Sequence, residues 1–349
     1  MQIITNNRIL GYSATRSLGY SFTRLLGYSV TRLLHLPVPT FPYFRLVAYI
    51  LEAENLVKTF GTTKAADHIS LQIPEQSIYG LLGPNGAGKT TFIRMATTIT
   101  QPDSGIIKFK GQRLHEEHAL HMGYMPEERG LYKKMSVIDQ LLFFAEIKGM
   151  KRSLAKEEAV KWLTRLDMKS WAGKKLEELS KGMAQKVQFL CTIIHRPEFI
   201  ILDEPFSGFD PVNADLIKDL ILELHTQGAS ILFSTHRMDN VEELCEFLCI
   251  INHGKMVLNG ESGNIRRRMF KNQYQAGYLE DKNFSNNGFE PISTERLQDG
   301  RVIYTFYLED NKDRERLLQS CVAEGGLVLF TEDLPTIHQI FVDTVTAES

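Results

Sequence analysis

The pattern of apolar and polar positions changes at Leu51, where alternating and fully apolar runs begin. The runs LEAENLVKTF and HISLQIPEQSIYGLLG are typical of short strands, and the second run ends at a glycine-rich turn. In the segment after that turn, TTFIRMATTI, the apolar residues have helical spacing. The sequence therefore predicts a strand, a glycine-rich turn and a helix in immediate succession.

Farther along the chain, the pattern predicts two amphipathic helices, SVIDQLLFFAEIKGM and SLAKEEAVKWLTRLDM, which we interpret as a helical insertion. Helices and buried strands then alternate. They are SKGMAQKVQFLCTIIH, EFIILDEP, VNADLIKDLILELHTQG, ASILFSTH and DNVEELCEFL. Strands that alternate with helices imply a parallel, doubly wound sheet. The segment CIINHGKMVLNG predicts a hairpin whose turn lies at His253 and Gly254.

The composition becomes more polar near residues 266–268. Beyond them, three strand-like runs (QYQAGYLE, RVIYTFYLE and GLVLFTE) and two helical runs (NKDRERLLQSCVAE and TIHQIFVDTV) predict a small α+β domain. We therefore divide the chain into an extension and linker at 1–48, an α/β domain at 49–265 and an accessory domain at 266–349. The accessory domain could sense a ligand, support dimerisation or only cover the α/β domain.

Composition and charge exclude some classes of protein. The 40 basic and 42 acidic residues are balanced, so we expect no nucleic-acid partner. No run approaches the roughly 18 uncharged apolar residues of a membrane span. The cysteines have no paired spacing, which indicates a reducing cytoplasm. We expect Cys245 and Cys249 to lie one helical turn apart, near His253, and to be buried free thiols rather than metal ligands.

The segment GPNGAGKT, Gly83–Thr90, matches the P-loop pattern G-x-x-x-x-G-K-[ST] between a predicted strand and a predicted helix. Backbone amides of such a loop face phosphate groups. We expect Lys89 to reach the β- and γ-phosphates and the Thr90 hydroxyl to ligate magnesium. The residues expected to bind the nucleotide here are Gly83, Pro84, Asn85, Gly86, Ala87, Gly88, Lys89, Thr90 and Thr91.

Two acidic residues, Asp203 and Glu204, directly follow a buried strand. They should lie at the carboxyl edge of the sheet, beside the P-loop, where doubly wound folds bind ligands. We expect Asp203 to enter the coordination shell of Mg²⁺ and Glu204 to polarise the attacking water. The next strand delivers His236 to the same edge. Alone, Asp203 and Glu204 could simply begin a solvated turn, and His236 could have no functional role. The P-loop earlier in the chain favours the functional roles.

With these motifs, residues 51–265 resemble the nucleotide-binding subunits of ABC transporters. GPNGAGKTT resembles the Walker A motif, FIILDEP the Walker B motif and Ser207–Asp210 the D-loop. The resemblance implies an ABC-type P-loop NTPase with a RecA-like core, a helical insertion, and ATP and Mg²⁺ as cofactors. It implies that His236 contacts the γ-phosphate, that Phe60 stacks on adenine, and that Asp210 belongs to the nucleotide site.

Leu179–Met183, LSKGM, occupies the place of the family signature LSGGQ. In the family, two domains dock head to tail, and the signature of one closes over the ATP that the other holds. The resemblance therefore implies that Ser180 and the Gly182 amide, at a helix N-terminus, contact the partner's γ-phosphate. Both halves of this composite site are intact here, which permits a homodimer as well as a heterodimer with a sibling ATPase.

The sequence departs from the family pattern at Lys181, Met183 and Glu127. Glu127 stands where the family places the Q-loop glutamine. A carboxylate can also ligate Mg²⁺, although its charge makes the site more anionic. With these departures and the ending LPTIHQIFVDTV, the sequence resembles the ATPases of type-2 ABC exporters, such as sodium-efflux subunits. The resemblance implies a peripheral subunit at the cytoplasmic face of the cell membrane, which drives a separate integral membrane permease through its Q-loop and helical insertion.

Three other functions fit parts of the pattern. Soluble ABC ATPases that act on ribosomes or DNA commonly have two nucleotide-binding domains or a long coiled insertion, whereas this sequence has one Walker A motif and no heptad run. A GTPase needs an N-K-x-D motif, and Asn311–Arg314 lacks the final Asp. A non-catalytic binding module typically loses either the acid at Glu204 or the histidine at His236.

Residues 10–34 repeat the phrase L-G-Y-S-x-T-R-x. Eight residues of α-helix turn through about 800°, so successive repeats cannot form one continuous apolar face. The repeated arginines exclude a membrane span, and the segment has no uninterrupted apolar core like that of a signal peptide. The composition imitates an organellar transit peptide. Our hypothesis is that residues 1 to about 48 form a disordered leader and linker, translated from an upstream start. Mass spectrometry of the native N-terminus tests it.

Overall fold

The computed structural model describes residues 48–128, 130–284 and 288–347. Strands β1 (Tyr49–Phe60), β2 (Thr63–Pro74), β4 (Ser104–Phe109) and β5 (Gln112–Arg113) form an antiparallel sheet. In this sheet β1 lies between β2 and β4. Leu51 pairs with Ile73 and Ala53 with Leu71, and all four side chains are buried on one face. The sequence pattern predicted short strands here, whereas β1 and β2 have 12 residues each and belong to a sheet of their own.

A second, mostly parallel sheet lies at the centre of the fold. Its strands are β3 (Ile78–Leu82), β6 (Met122–Met125), β7 (Phe199–Asp203), β8 (Ser230–Thr235), β9 (Phe247–Asn252) and β10 (Lys255–Glu261). Their order is β10-β9-β3-β8-β7-β6, and only β10 runs antiparallel to its neighbour. Every residue of β3, β7 and β8 is buried, as expected for strands that are covered on both faces. The predicted parallel sheet is confirmed.

The predicted hairpin at the edge of this sheet is also confirmed. Asn252 of β9 pairs with Lys255 of β10, so His253 and Gly254 form a two-residue turn. Both turn residues have positive φ, 47° and 77°, which is the requirement of a type I′ turn. The turn packs on the phosphate-binding loop, because the Gly254 amide donates a hydrogen bond of 2.8 Å to the carbonyl of Ala87.

Seven helices accompany these two sheets in the described part of the chain. They are α1 (Lys89–Ala96), α2 (Val137–Ile147), α3 (Arg152–Arg165), α4 (Lys181–Ile193), α5 (Pro211–Thr226), α6 (Met238–Leu244) and α7 (Ser262–Arg268). Short 3₁₀ helices cover Glu116–His121, Lys169–Trp171 and Leu176–Glu178. The predicted helical insertion corresponds to α2 and α3, whose buried faces join one core with α4 through residues such as Leu141, Leu163 and Val187.

The C-terminal residues form a third sheet with a core of its own. Its antiparallel strands are β11 (Gln273–Tyr278), β12 (Ser293–Arg296), β13 (Val302–Tyr307) and β14 (Leu327–Glu332), in the order β12-β13-β11-β14. A 3₁₀ helix (Asn311–Asp313) leads into helix α8 (Arg314–Ala323), which covers an aromatic core. This core includes Tyr274, Tyr278, Phe284, Tyr304 and Phe306. The short strand β12 had no counterpart in the sequence pattern.

The last helix, α9 (Ile337–Thr346), packs against α6 and α7 instead of this aromatic core. Its buried residues Ile337 and Ile340 belong to the same core as the parallel sheet. The boundary at residues 265 and 266 stays a prediction. The hypothesis about residues 1–48 falls outside the described residues, apart from Ala48.

All four cysteines are buried free thiols, which confirms the prediction for Cys245 and Cys249. The expectation that Cys245 and Cys249 lie one helical turn apart is wrong, because α6 ends at Leu244 and Cys249 lies in β9. Within residues 48–128, 130–284 and 288–347, no helix combines the length and apolar character that crossing a bilayer requires.

The close approach of β6 to α4 gives a test of this packing. A Cβ atom on Gly123 would lie 2.3 Å from the backbone oxygen of Thr192 in α4. We expect Gly123→Ala to lower the free energy of unfolding by about 1–3 kcal/mol, because the helix backbone would have to move. Gly263→Ala is the control, since nothing lies within 4 Å of the added carbon. Urea unfolding measures both, and equal effects would contradict the packing.

Candidate functional site

A glycine-rich loop joins β3 to α1. Gly83, Gly86 and Gly88 have φ angles of 155°, 78° and 113°. A Cβ on Gly83 would lie 2.2 Å from the backbone oxygen of Ile251, and one on Gly88 would lie 2.3 Å from that of Ala65. The loop therefore needs glycine for space as well as for backbone freedom. It ends where the first amides of α1 have no partner within the helix, an arrangement suited to an anion.

The side chain of Lys89 folds into this loop. Its Nζ donates hydrogen bonds to the carbonyl oxygens of Gly83 at 2.7 Å and Pro84 at 3.1 Å. Burial lowers the pKa of Lys89, while the negative charges of Glu204, Asp203 and Glu127 act in the opposite direction. A cation that is held among backbone oxygens and near three carboxylates is well placed to receive a phosphate group.

The carboxylate of Asp203 lies at the end of β7 and joins three elements. It is 2% exposed. The Thr90 hydroxyl, at the start of α1, donates to Oδ2 at 3.2 Å. The Ser234 hydroxyl of β8 donates to Oδ1. These bonds place a hydroxyl oxygen and a carboxylate oxygen side by side under the loop.

Glu204 follows Asp203 and is held by the end of β8. The Thr235 hydroxyl donates to Oε2 at 3.2 Å, and His236 Nδ1 lies 2.8 Å from Oε1. The residue is 8% exposed, whereas the side chain of His236 is 61% exposed. Glu204 also has a φ of 51°, which costs a non-glycine residue about 1–3 kcal/mol and is common at functional sites.

The structure thus brings together five of the predicted site residues. They are Lys89, Thr90, Asp203, Glu204 and His236. Ser234 and Thr235, which orient the two carboxylates, were missed by the sequence interpretation. Their only signal was the polar ending of an otherwise apolar strand, ILFST.

Other predicted residues lie elsewhere. Phe60 ends β1 and is 54% exposed, with Lys58 Nζ 5.5 Å from its ring centroid. Ser180 caps α4 by accepting a hydrogen bond from the amide of Met183, and Asp210 caps α5. No hydrogen bond or ion pair in the described part of the chain joins Ser180, Gly182 or Asp210 to the cluster around Asp203.

The side chains around Asp203 also show which metal ion could bind beside the phosphate-binding loop. Thr90 and Asp203 supply the hard oxygen donors that Mg²⁺ prefers. Glu127 is exposed, but its charge acts on Lys89. Within the described ranges, no group of three or more His, Cys, Asp or Glu residues could hold a metal ion. The donors therefore fit a cation whose remaining ligands come from phosphate oxygens or water.

A largely apolar groove of about 240 Å³ lies between β6, α2 and α4. Lys148 lines it and donates to the carbonyl oxygen of Met122 at 2.9 Å. Tyr132 and Phe143 lie beside it with ring centroids 5.6 Å apart. The residues that line the groove are Tyr124, Pro126, Gly130, Leu131, Phe144, Ile147, Lys148, Gln188, Cys191, Thr192 and His195.

Comparison with known proteins shows which family the sequence matches. The sequence model of a family described as ABC transporter matches residues 66–207. The chain is 41% identical over 298 residues to the uncharacterized ABC transporter ATP-binding protein YhaQ of Bacillus subtilis, which covers 85% of this chain and 99% of YhaQ. It is 33% identical over 215 residues to the Nod factor export ATP-binding protein I of Cupriavidus metallidurans, across 61% of this chain and 71% of that protein.

A solved structure described as the ATP-binding subunit of an ABC transporter is also similar. It superposes with a TM-score of 0.59 and 27% identity, over 63% of this chain and 92% of that one. Another, an ATP-binding cassette in its ADP conformation, has a TM-score of 0.56 and 27% identity, over 62% of this chain and 92% of that one.

His195, which lines the groove, leads us to expect that the free energy of unfolding depends on pH. Its Nε2 lies 3.1 Å from the carbonyl oxygen of Met122. Burial, with the charge of Lys148, lowers the pKa of His195 from 6.5 to about 4. Between these pH values the unfolded chain binds more protons than the folded chain. The contribution of neutral His195 to the free energy of unfolding is therefore complete above pH 6.5 and is lost as the pH falls toward 4.

We expect His195→Gln to reduce the loss of unfolding free energy between pH 6.5 and pH 4, as measured by urea unfolding at several pH values. The control is His225→Gln, since His225 Nε2 also contacts a backbone oxygen, that of Gln76 at 2.9 Å. An unchanged pH dependence in His195→Gln would show that this imidazole is not held neutral.

Proposed function

The chain belongs to the family of ABC transporter ATP-binding proteins, and from this premise we propose that it is the ATP-hydrolysing subunit of an exporter that drives a separate membrane permease. Membership accounts for the P-loop NTPase fold, ATP binding and ATP hydrolysis. Export is favoured by the similarity to relatives such as the Nod factor export protein. The transport role, the dimer and the residue roles below are parts of the proposal.

The observation that carries the proposal is the position of Glu204. Its carboxylate is fixed by Thr235 and His236 at the same sheet edge as Lys89 and Asp203. A fixed carboxylate beside a phosphate-binding loop can accept a proton from a water molecule that attacks the terminal phosphate. Lys89 would leave the carbonyl oxygens of the loop and neutralise the β- and γ-phosphates. His236 would contact the γ-phosphate and orient the Glu204 carboxylate.

Magnesium belongs to this proposal because the oxygen donors fit it. When bound, Mg²⁺ neutralises phosphate charge during phosphoryl transfer. Thr90 and Asp203 would hold it, with Glu127 approaching from the segment after β6. Phe60 would present its exposed ring to the adenine base, and Gly83–Thr91 would surround the phosphates.

A head-to-tail dimer is supported by the residues that lie apart from this cluster. Ser180 and Gly182 stand at the start of α4, where the helix dipole and free amides favour an anion. Since they make no bond to the cluster of their own chain, we propose that they and Asp210 complete the nucleotide site of a second chain. Two identical chains suffice, because each carries both halves.

The permease is proposed to dock in the groove between β6, α2 and α4. The groove is mostly apolar, and it adjoins the segment that carries Glu127, so that movement at the nucleotide site could reach a bound partner. The chain would then lie at the cytoplasmic face of the cell membrane. The domain division is part of the proposal, with α9 of the accessory domain resting on α6 and α7.

Glu204→Gln tests the hydrolytic role. We expect hydrolysis to fall by about 10²–10⁴-fold, because the amide cannot accept the proton, while ATP binding persists and a dimer accumulates. Phosphate release measures the first effect, and size-exclusion chromatography with ATP measures the second. Glu223→Gln, which breaks a surface pair with Arg165, is the control. Unchanged turnover in Glu204→Gln would refute the assigned role.

Ile147→Asp tests the docking surface. The side chain lines the groove and is 51% exposed, so a carboxylate should weaken permease binding by about tenfold or more without affecting the fold. Ile99→Asp, at a 60% exposed position outside the groove lining, is the control. The assay captures the tagged full chain with its partners from detergent-solubilised membranes. Recovery of only soluble ribosomal or DNA-bound partners would favour a non-transport ATPase instead.

A further inference from the structure

Helix α4 carries two buried glutamines one turn apart, Gln185 and Gln188, which are 5% and 4% exposed. Residues three apart lie on one side of a helix. Buried amide groups need hydrogen-bond partners, and those of these two side chains are backbone oxygens of other segments. The glutamines therefore bond the helix to its neighbours at two points.

Gln188 contacts the segment that follows β6. Its Nε2 donates to the carbonyl oxygen of Pro126 at 2.7 Å and lies 3.5 Å from that of Glu128. These two residues flank Glu127, the acidic residue proposed to approach the metal ion. Pro126 also lines the groove, as does Gln188 itself. One side-chain amide thus joins the proposed permease surface to α4.

Gln185 contacts the segment that follows Glu204. Its Nε2 donates to the carbonyl oxygens of Ser207 and, at 3.4 Å, Pro205. Its Oε1 is buried and has no partner, so the amide is held through its donor side alone. This segment leads to Asp210. Gln185 therefore couples α4 to the stretch between the proposed catalytic base and the proposed residue of the second nucleotide site.

The start of α4 also packs closely on that stretch. Gly208 has a φ of 82°, and a Cβ added there would lie 2.8 Å from Cε of Lys181 and 3.3 Å from Oε1 of Gln185. Between residues 126–128 and 205–208, no hydrogen bond connects the two segments directly. Their coupling through hydrogen bonds runs through α4.

We propose that Gln185 and Gln188 are positioning residues, which hold the segments 126–128 and 205–208 in fixed register with the start of α4. The inference rests on the proposed function, because the two glutamines are expected to affect the stability of the head-to-tail dimer. Ser180 and Gly182 can meet a partner's nucleotide only when α4 and both segments are correctly placed together. Neither amide bonds to the phosphate-binding loop of its own chain, so we expect each glutamine to act mainly on the site that is shared with the second chain.

The test uses the full chain with Glu204→Gln as the parent, in which ATP traps the dimer. Gln185→Leu and Gln188→Leu remove the amides. Gln140→Leu is the matched control, since Gln140 of α2 is fully buried and bonds the backbone of Tyr132, a residue outside both segments, through both ends of its amide. Gln185→Glu and Gln188→Glu keep the side-chain shape but lack the N–H donors, and they serve if a leucine variant does not fold.

The measurements are ATP affinity of the single chain, dimer dissociation constant by sedimentation with ATP, and melting temperature. We expect each glutamine variant to weaken the dimer by about tenfold, the scale of one lost buried hydrogen bond, with a much smaller change in the ATP affinity of the single chain. Gln140→Leu should lower the melting temperature without weakening the dimer.

The inference alone would be overturned if the glutamine variants dimerised as strongly as the parent. It would also be overturned if the glutamine variants and Gln140→Leu had the same dimer dissociation constant at an equal loss of melting temperature. A parent chain that binds ATP and stays monomeric would overturn the proposed dimer and this inference with it. The two failures are distinguishable, because the first occurs in the variants and the second in the parent.

Discussion

The hydrogen bonds to the buried carboxylate of Asp203 are the interaction on which the site depends. This one side chain binds the start of α1 through Thr90 and the end of β8 through Ser234. It thereby sets the spacing between the phosphate-binding loop and the residues that follow β8. A buried carboxylate is costly unless hydrogen bonds satisfy it, so the polar ends of these strands stabilise one another.

The glycines of the loop add a second constraint, which is steric. Gly83 and Gly88 bring the loop backbone against β9 and β2, closer than any side chain would allow. The antiparallel sheet, the β9–β10 hairpin and the loop therefore form one packed unit around the nucleotide site. The exposed Phe60, which we propose to stack on adenine, belongs to the same antiparallel sheet.

Helix α4 has a different part in the molecule. Its N-terminus is the proposed contact with a second chain, its middle carries the two buried glutamines, and its C-terminal end borders the groove. A helix transmits displacement along its length because its backbone hydrogen bonds make it stiff. The proposed nucleotide site between two chains and the proposed permease surface can be coupled in this way without any flexible connection between them.

The sequence by itself determined the local elements and the family. The glycine-rich loop, the acidic residues after an apolar run and the His253–Gly254 turn are encoded by neighbouring residues, through hydrophobic period and turn chemistry. Tertiary structure alone decided the division of strands β1–β10 into two sheets, the hydroxyl groups that orient Asp203 and Glu204, the bonds of Gln185 and Gln188, and the docking of α9. These features join residues that are distant in the chain, such as Gln188 and Pro126, which are 62 positions apart. A local pattern carries no information about which distant partner folding brings into contact.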